Sequence, residues 1–441
     1  MVAPPFLVSA PGKTIIFGEH AAVYGKPAIA AALSLRTYML VSNHDLPQDV
    51  ISLEFPDVNL QYSWPLSTLP WSSVPSLSSP QSPPTELDDA LVKALDAPLT
   101  GVTGFPQRSA ALAFLYIYMC LMNDKRSALQ GVTFSVRSTL PIGAGLGSSA
   151  SVSVCISAAI CLLSGAAPAP PLTAATATAA ADAANLAAID TIDGWAFLGE
   201  RCIHGNPSGI DNAVATRGGA VMFQRMSKGS PNVLKSMRSF PSLRLLLIDS
   251  KQPRRTAVQV ANVASLVEEY PLITEPIMNG IHSLTDEAYR LLLLPAAECD
   301  AAWAAKLRGL VRINHGLLVA LGVSHPKLEL IRAAADELKI GETKLTGAGG
   351  GGCAITLVQD GVTESTVSEL RSRLSQYGFD VYETRLGGTG VGCLFPTKVD
   401  KAEWEEWEEK LFSLHHLLAL EGREHIEETV GVEAVDAWAF W

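Results

Sequence analysis

Pro141-Ile-Gly-Ala-Gly-Leu-Gly-Ser-Ser-Ala150 is the stretch from which the fold is read. Glycines at 143, 145 and 147 leave backbone N–H groups uncovered, and Ser148 and Ser149 supply hydroxyls that can cap a helix whose positive end faces an anion. Upstream, Val132, Phe134 and Val136 alternate with Thr133, Ser135 and Arg137, the pattern of a half-buried strand. Downstream, Ser151 to Leu163 is largely apolar without Gly or Pro, as in a buried helix. Strand, glycine loop, helix is the local order, and it suits a polyphosphate. Two standard patterns are excluded: no lysine follows Gly147 as a Walker A loop requires, and Ser148 replaces the third glycine of a dinucleotide fingerprint. A glycine turn selected only for tightness is the competing reading.

With 441 residues the chain exceeds the size at which one core usually stops growing, so two domains are expected. Apolar residues make up 48% and charged residues 17%, which supports a filled core and argues against disorder. A formal net charge of −11 disfavours nucleic acid or an anionic membrane as a general partner. Seven cysteines form no C-x-x-C pair and are odd in number, so neither a zinc site nor a disulfide framework is indicated, and a reducing, cytoplasmic setting fits. Residues 1 to 10 do not read as a secretion signal, and the apolar run 150 to 163 is too short to span a bilayer.

Along the chain, Leu7 to Ala10 and Thr14 to Phe17 read as two strands meeting at a tight turn, Pro11-Gly12-Lys13. Residues 63 to 84, dense in Ser and Pro, read as a surface excursion without regular structure. Core helices are expected over 110 to 122 and about 174 to 198, with Glu200 just beyond the second. The composition shift at Lys228-Gly-Ser-Pro-Asn232 marks a boundary between domains at 1–228 and 229–398, followed by a helical extension at 399–441. The later helices are expected over 256 to 270 and 279 to 294, with strands at 243 to 248, 354 to 358 and 379 to 382. The tail carries Trp404, Trp407, Leu411, Leu414 and Leu418 at helical spacing; this stripe either docks on the body or forms a dimer contact.

Taken singly, the candidate chemical groups are ambiguous. Lys13 reads as readily as a solvated lysine, Glu200 as a helix-end carboxylate, Asp211 as a turn residue and His20 as a core histidine. Together they make chemical sense: a hydroxyl at a helix start and one carboxylate can share a magnesium ion, while a second carboxylate and a lysine serve an alcohol nucleophile. Lys251-Gln-Pro-Arg-Arg-Thr256 groups three cations suited to a small carboxylate or phosphate, with a solvated basic loop as the alternative. Gly347 to Gly352 is either a close-packing turn or a second phosphate-facing loop.

Three segments carry a resemblance: Ala10 to Gly25, Pro141 to Ala150, and Lys344 to Cys353 are similar, in order, to the three motifs of the GHMP small-molecule kinases. Gly18-Glu-His-Ala-Ala-Val-Tyr-Gly25, Ile203 to Asn212 and Lys251-x-Pro-Arg-x-Thr256 resemble the eukaryotic, fungal-type mevalonate kinases within that superfamily. The likeness runs from about residue 5 to 396.

The resemblance implies an α+β, two-domain GHMP kinase fold: an N-terminal domain like domain 2 of ribosomal protein S5, a ferredoxin-like C-terminal α/β domain, and an ATP site in the cleft between them. It implies ATP-dependent phosphorylation of the primary hydroxyl of mevalonate, in isoprenoid and sterol synthesis, with Mg2+. Asp211 falls at the base and Lys13 beside it; Ser149 and Glu200 fall at the metal ligands. Gly143, Ala144, Gly145, Leu146, Gly147, Ser148 and Ser149 match the phosphate loop, with Lys13, Ser138 and Asp57 on the nucleotide side. Glu19, His20, Arg254 and Thr256 fall on the mevalonate side. A homodimer and feedback inhibition by prenyl diphosphates at the ATP site are further expectations. The alternatives are another GHMP kinase acting on homoserine or a sugar, and a non-catalytic sensor.

Overall fold

The computed structural model describes residues 2–43, 49–125, 131–141, 143–171, 179–226, 232–237, 240–396, 412 and 414–441. Its strands are β1 (Phe6–Phe17), β2 (Pro27–Ser42), β3 (Val50–Phe55), β4 (Leu60–Pro65), β5 (Val132–Ser138), β6 (Ala220–Gln224), β7 (Val233–Met237), β8 (Leu243–Asp249), β9 (Gly341–Leu345), β10 (Cys353–Val358), β11 (Asp380–Leu386), β12 (Gly392–Leu394) and β13 (Ala439–Phe440). The helices are α1 (Asp89–Ala94), α2 (Phe105–Met122), α3 (Ser148–Ser164), α4 (Ala179–His204), α5 (Ile210–Arg217), α6 (Thr256–Glu269), α7 (Pro271–Leu292), α8 (Ala301–Ala320), α9 (Pro326–Glu337), α10 (Glu364–Ser375), α11 (Leu414–Ala419) and α12 (Gly422–Val430).

One sheet runs through the molecule in the order β13-β12-β1-β2-β11-β8-β10-β9, with β3 to β7 attached beside β2. The long β2 is its spine, pairing with β1 along most of its length, with β6 at Pro27 to Ala31, with β11 at Leu33, and with β5 at Thr37 to Ser42. Side chains alternate along β2, so Met39 and Val41 enter the core under α2, α3 and α4 while Tyr38 and Leu40 enter a separate core on the opposite face. The same period governs β8, where Leu245 and Leu247 face one core and Leu246 and Ile248 another. A strand buried on both faces reads as the unbroken apolar run seen in its sequence.

Pro11-Gly12 does not turn the chain: Phe6 to Phe17 is one strand with a register shift between Pro11 and Lys13, and Lys13 pairs with Ala32. Pairing along β2 overrides the local turn preference, and the shift takes up the irregularity. The 63 to 84 stretch is also more ordered than its composition suggests. Ser63 to Pro65 belong to β4, Trp64 is buried with its indole N–H on Pro98 O at 3.0 Å, and Pro80 O accepts from Trp195 Nε1 at 2.9 Å. Two aromatic anchors outweigh the Ser and Pro content. Glu200 lies inside α4, which runs on to His204.

Residues 228–231 of the expected domain boundary lie outside the described residues, as do Trp404, Trp407 and Leu411. The described part of the tail docks on the body. Phe412, Leu417, Ile426, Val430 and Trp438 cover Leu7, Tyr38, Leu40 and Leu394, and β13 pairs with β12. No described helix is long and apolar enough to cross a membrane.

Trp438 stands 6.0 Å from the Tyr38 ring and donates to Val430 O at 3.2 Å. Trp438→Ala is expected to cost about 3–5 kcal/mol, read as a lower urea midpoint. An unchanged midpoint would mean that the tail unfolds separately from the body.

Candidate active site

The glycine loop is held from below by β1. Lys13 N donates to Leu146 O at 2.7 Å, and Ser151 Oγ donates to Ala10 O at 2.7 Å. A Cβ on Gly12 would lie 2.3 Å from Leu140 Cδ2 and 2.9 Å from Leu146 O, so only glycine permits this approach. Ala144 and Leu146 are buried against the core, and Gly143, Gly145 and Gly147 border the cleft together with one side of Leu146. Gly147 caps α3, and Ser148 and Ser149 form its first turn. The loop therefore meets the cleft with a helix N-terminus behind it.

Lys13 projects from β1 beneath this loop, its Nζ 3.1 Å from Asp211 Oδ1. The lysine side chain is 8% exposed and the aspartate 33%, so the pair has a buried partner and a partner open to the cleft. Asp211 lies in the first turn of α5, where the helix terminus favours a carboxylate. Asp193 of α4 accepts from Asn212 Nδ2 at 2.6 Å and from Arg217 Nη2 at 2.9 Å, fixing α5 against α4 and with it the direction of Asp211.

Glu200 is buried on α4, and its Oε1 has no hydrogen-bond partner among the described residues. Burial pushes its carboxyl up to about 7, and the negative charge of Asp211 pushes the same way. The Ser149 hydroxyl, the Lys13 charge and the Ser153 hydroxyl oppose this. Ser149 Oγ also lies 3.0 Å from His204 Nε2, a contact that the sequence reading missed although His204 opens the turn before Asp211.

Asp211, Ser149, His204, the loop glycines and Arg254 border a single open cleft that Phe55, Val58, Phe105 and Pro106 also line. Arg254 leans over the loop. A Cβ on Gly145, whose φ is +81°, would lie 1.9 Å from Arg254 Nη2, and one on Gly347 would lie 2.7 Å from Nη1. The guanidinium thus occupies space left by two glycine loops.

The other expected residues are placed differently. Asp57 Oδ2 accepts from Ser138 N at 2.8 Å, joining the two nucleotide-side candidates to each other beside the cleft wall. Glu19 is fully buried, paired with Lys344 and accepting from Asn314 Nδ2 at 2.9 Å. His20 is buried with Nε2 2.9 Å from Ala348 O, and Thr256 is exposed at the start of α6. Lys344 stood inside a motif that was singled out, whereas nothing in the sequence pointed to Asn314.

The profile of the GHMP kinases N terminal domain matches residues 113–219, and that of the GHMP kinases C terminal region matches residues 301–369. The chain is 47% identical to the mevalonate kinase of Candida albicans over 99% of each chain. It is 43% identical to that of Aspergillus fumigatus over 100% of this chain and 82% of the relative. Its fold resembles the crystal structure of the Methanococcus jannaschii mevalonate kinase, with a TM-score of 0.61 at 23% identity, covering 88% of this chain and 99% of that one. The two GHMP regions, with the glycine loop and Asp211 bordering one cleft, agree with these full-length likenesses: the chain belongs to the mevalonate kinase family of the GHMP kinases.

Proposed function

We propose that the protein transfers the terminal phosphoryl group of ATP to the primary hydroxyl of mevalonate, giving 5-phosphomevalonate and ADP. The observation that carries this reading is the 3.1 Å contact of Lys13 with Asp211 at the edge of the phosphate loop. The family membership supports the choice of substrate. The loop N–H groups and the start of α3 receive the triphosphate, and the substrate hydroxyl lies against Asp211. As the new oxygen–phosphorus bond forms and the bond to ADP breaks, the hydroxyl proton passes to the Asp211 carboxylate.

A carboxylate is a far weaker base than an alkoxide, so the proton leaves late, in a loose transition state. General-base help of this kind is worth about 10²–10⁴-fold. One helix terminus adds about 0.3–2 kcal/mol, too little alone for a triphosphate. Lys13 and the loop amides therefore share the stabilisation of charge, in a site arranged before the reaction. Arg254, with His20 and Thr256, is assigned to the mevalonate side, where a guanidinium suits its carboxylate. Glu19 acts there through the backbone it shares with His20.

Ser149 and Glu200 would hold a magnesium ion. A buried carboxylate oxygen without a partner, close to a hydroxyl, fits a hard oxygen-seeking cation. When bound, the ion supplies neutralisation of the phosphate oxygens. The apolar wall of Phe55, Val58, Phe105 and Pro106 beside a diphosphate-sized loop supports feedback inhibition by prenyl diphosphates. Exposed Val258, Tyr270, Leu272 and Ile273, around the turn from α6 to α7, support a homodimer, and seven cysteines outside any disulfide support a cytoplasmic setting.

Asp211→Asn is expected to lower kcat by about 10²–10⁴-fold while Mg-ATP still binds in calorimetry. Near-normal turnover would remove Asp211 from its role. Activity is to be read as ADP release with mevalonate against galactose, homoserine and phosphomevalonate, and the reading fails if mevalonate gives no signal.

Glu200 also makes stability depend on pH. Its folded pKa, about 7, lies above the ordinary 4.5, so its contribution is fully present below about 4.5 and is lost as pH rises through 7. In chelator-treated protein, Glu200→Gln should melt higher than wild type at about pH 8, with the gap closing near pH 5. A gap that does not change with pH would contradict this. Leu272→Asp with Ile273→Asp is expected to halve the mass measured in sedimentation; an unchanged mass would place the dimer contact elsewhere.

A further inference from the structure

The described C-terminal tail reaches the ATP side of the cleft through one buried side chain. Arg137, on β5, is 8% exposed at its side chain and has two sets of partners. Its Nη1 donates to Leu417 O at 3.2 Å and to Leu418 O at 3.0 Å, carbonyls in the last turn of α11, where Leu417 O also accepts from Leu420 N at 3.4 Å. Its Nε donates to Asp57 Oδ1 at 3.3 Å. The other Asp57 oxygen accepts from Ser138 N at 2.8 Å, three residues before the glycine loop begins at Pro141.

Asp57 lies in sequence between Phe55 and Val58, which line the same cleft as the glycine loop. That wall has a second anchor, since Gln107 Nε2 of α2 donates to Val58 O at 2.6 Å. One end of the wall is thus fixed to the body and the other to Arg137. Arg137 is in turn fixed by the tail, where Leu417 is buried against Tyr38 and Leu40 of β2. A guanidinium can hold two carbonyls and a carboxylate at once because its donors form a rigid planar fork.

We propose that Arg137 is a positioning residue for nucleotide binding, through which docking of the C-terminal tail sets the cleft wall at Asp57. This rests on the reading of the cleft as the ATP site. The consequence is specific: loosening Arg137 or α11 weakens ATP binding and leaves the mevalonate side, across the loop at Arg254, unaffected.

The test uses full-length wild type, Arg137→Met, Arg137→Lys, Leu417→Ala and the Arg137→Met/Leu417→Ala double variant. Mg-ATP binding is measured by calorimetry without mevalonate, beside kcat and both KM values. Arg137→Met is expected to raise Kd and KM for ATP about tenfold, the scale of a lost charge-assisted hydrogen bond, with kcat and KM for mevalonate within about twofold. Arg137→Lys, which keeps charge but not the fork, should fall between wild type and Arg137→Met, and tests the point if the methionine variant folds poorly. Leu417→Ala should weaken ATP binding alone and add nothing on top of Arg137→Met.

An unchanged ATP constant, equal shifts for both substrates, additive losses in the double variant, or no ATP binding by wild type would overturn the proposal. If wild type binds ATP but does not phosphorylate mevalonate, the proposed reaction falls, while calorimetry still decides on Arg137.

Discussion

The site depends on the contact between the glycine loop and β1 at Gly12. Main-chain atoms make it, Lys13 N to Leu146 O, so the bond tolerates changes of side chain but not the addition of a Cβ at Gly12. The same residue that donates this bond sends its side chain under Gly147 to Asp211. The glycine loop, the Lys13 ammonium and the Asp211 carboxylate are therefore referenced to one backbone position. A shift of the loop along β1 would separate them, and misplacement of about 1 Å can cost a factor of about 10² in rate.

Charge in this protein is divided between structural and chemical tasks by burial. Lys344 and Glu19 are both out of water, and burial drives the Lys344 ammonium below its ordinary range although Glu19 pulls it back. Such a pair contributes little net stability over an apolar one, but losing one member costs about 3–5 kcal/mol because the other is stranded. Its position explains why it is there: it ties the end of β1 to β9, and next to it His20 holds a strained φ of +59° while contacting Ala348 of the second glycine loop. That strain persists only where the surroundings determine the backbone. Lys13 and Asp211 are the opposite case, with the carboxylate open to the cleft where a substrate can reach it.

Much of the fold was legible because the diagnostic signals were local. The β5, glycine loop and α3 order followed from an alternating strand and an apolar run around three glycines, and Leu243 to Ile248 read as a strand. The errors came where tertiary pairing overrode local chemistry. Pro11-Gly12 has turn composition, yet pairing with β2 keeps it extended, and two tryptophans pinned a Ser- and Pro-rich stretch that composition alone would leave loose. Lys13, Ser149, Glu200 and Asp211, candidates drawn from motifs, lie together in the structure, with Lys13 on Asp211 and Ser149 near Glu200. That Glu19 turns inward to Lys344 and Asn314, and that Arg254 fills the space over Gly145, depends on residues about one hundred to three hundred positions apart.

The tail follows from the geometry of β1 and β2. A two-residue period puts Leu7, Tyr38 and Leu40 on the face away from the helical layer, and uncovered they would leave a continuous apolar patch on the sheet. Burying each large side chain is worth about 1.5–3 kcal/mol, so a cover is strongly favoured. The cover must also satisfy polar groups on that face, and Tyr38 OH donates to Glu427 at 2.8 Å. Beside it, Arg36 is almost wholly buried. It is tolerated because Ser9 O, Thr389 O and Gly390 O accept from its guanidinium and the Phe440 ring lies 5.7 Å from it. The C-terminal residues are thus the second layer of the sheet whose first strand carries Lys13, and stability of the tail and geometry of Lys13 share one backbone.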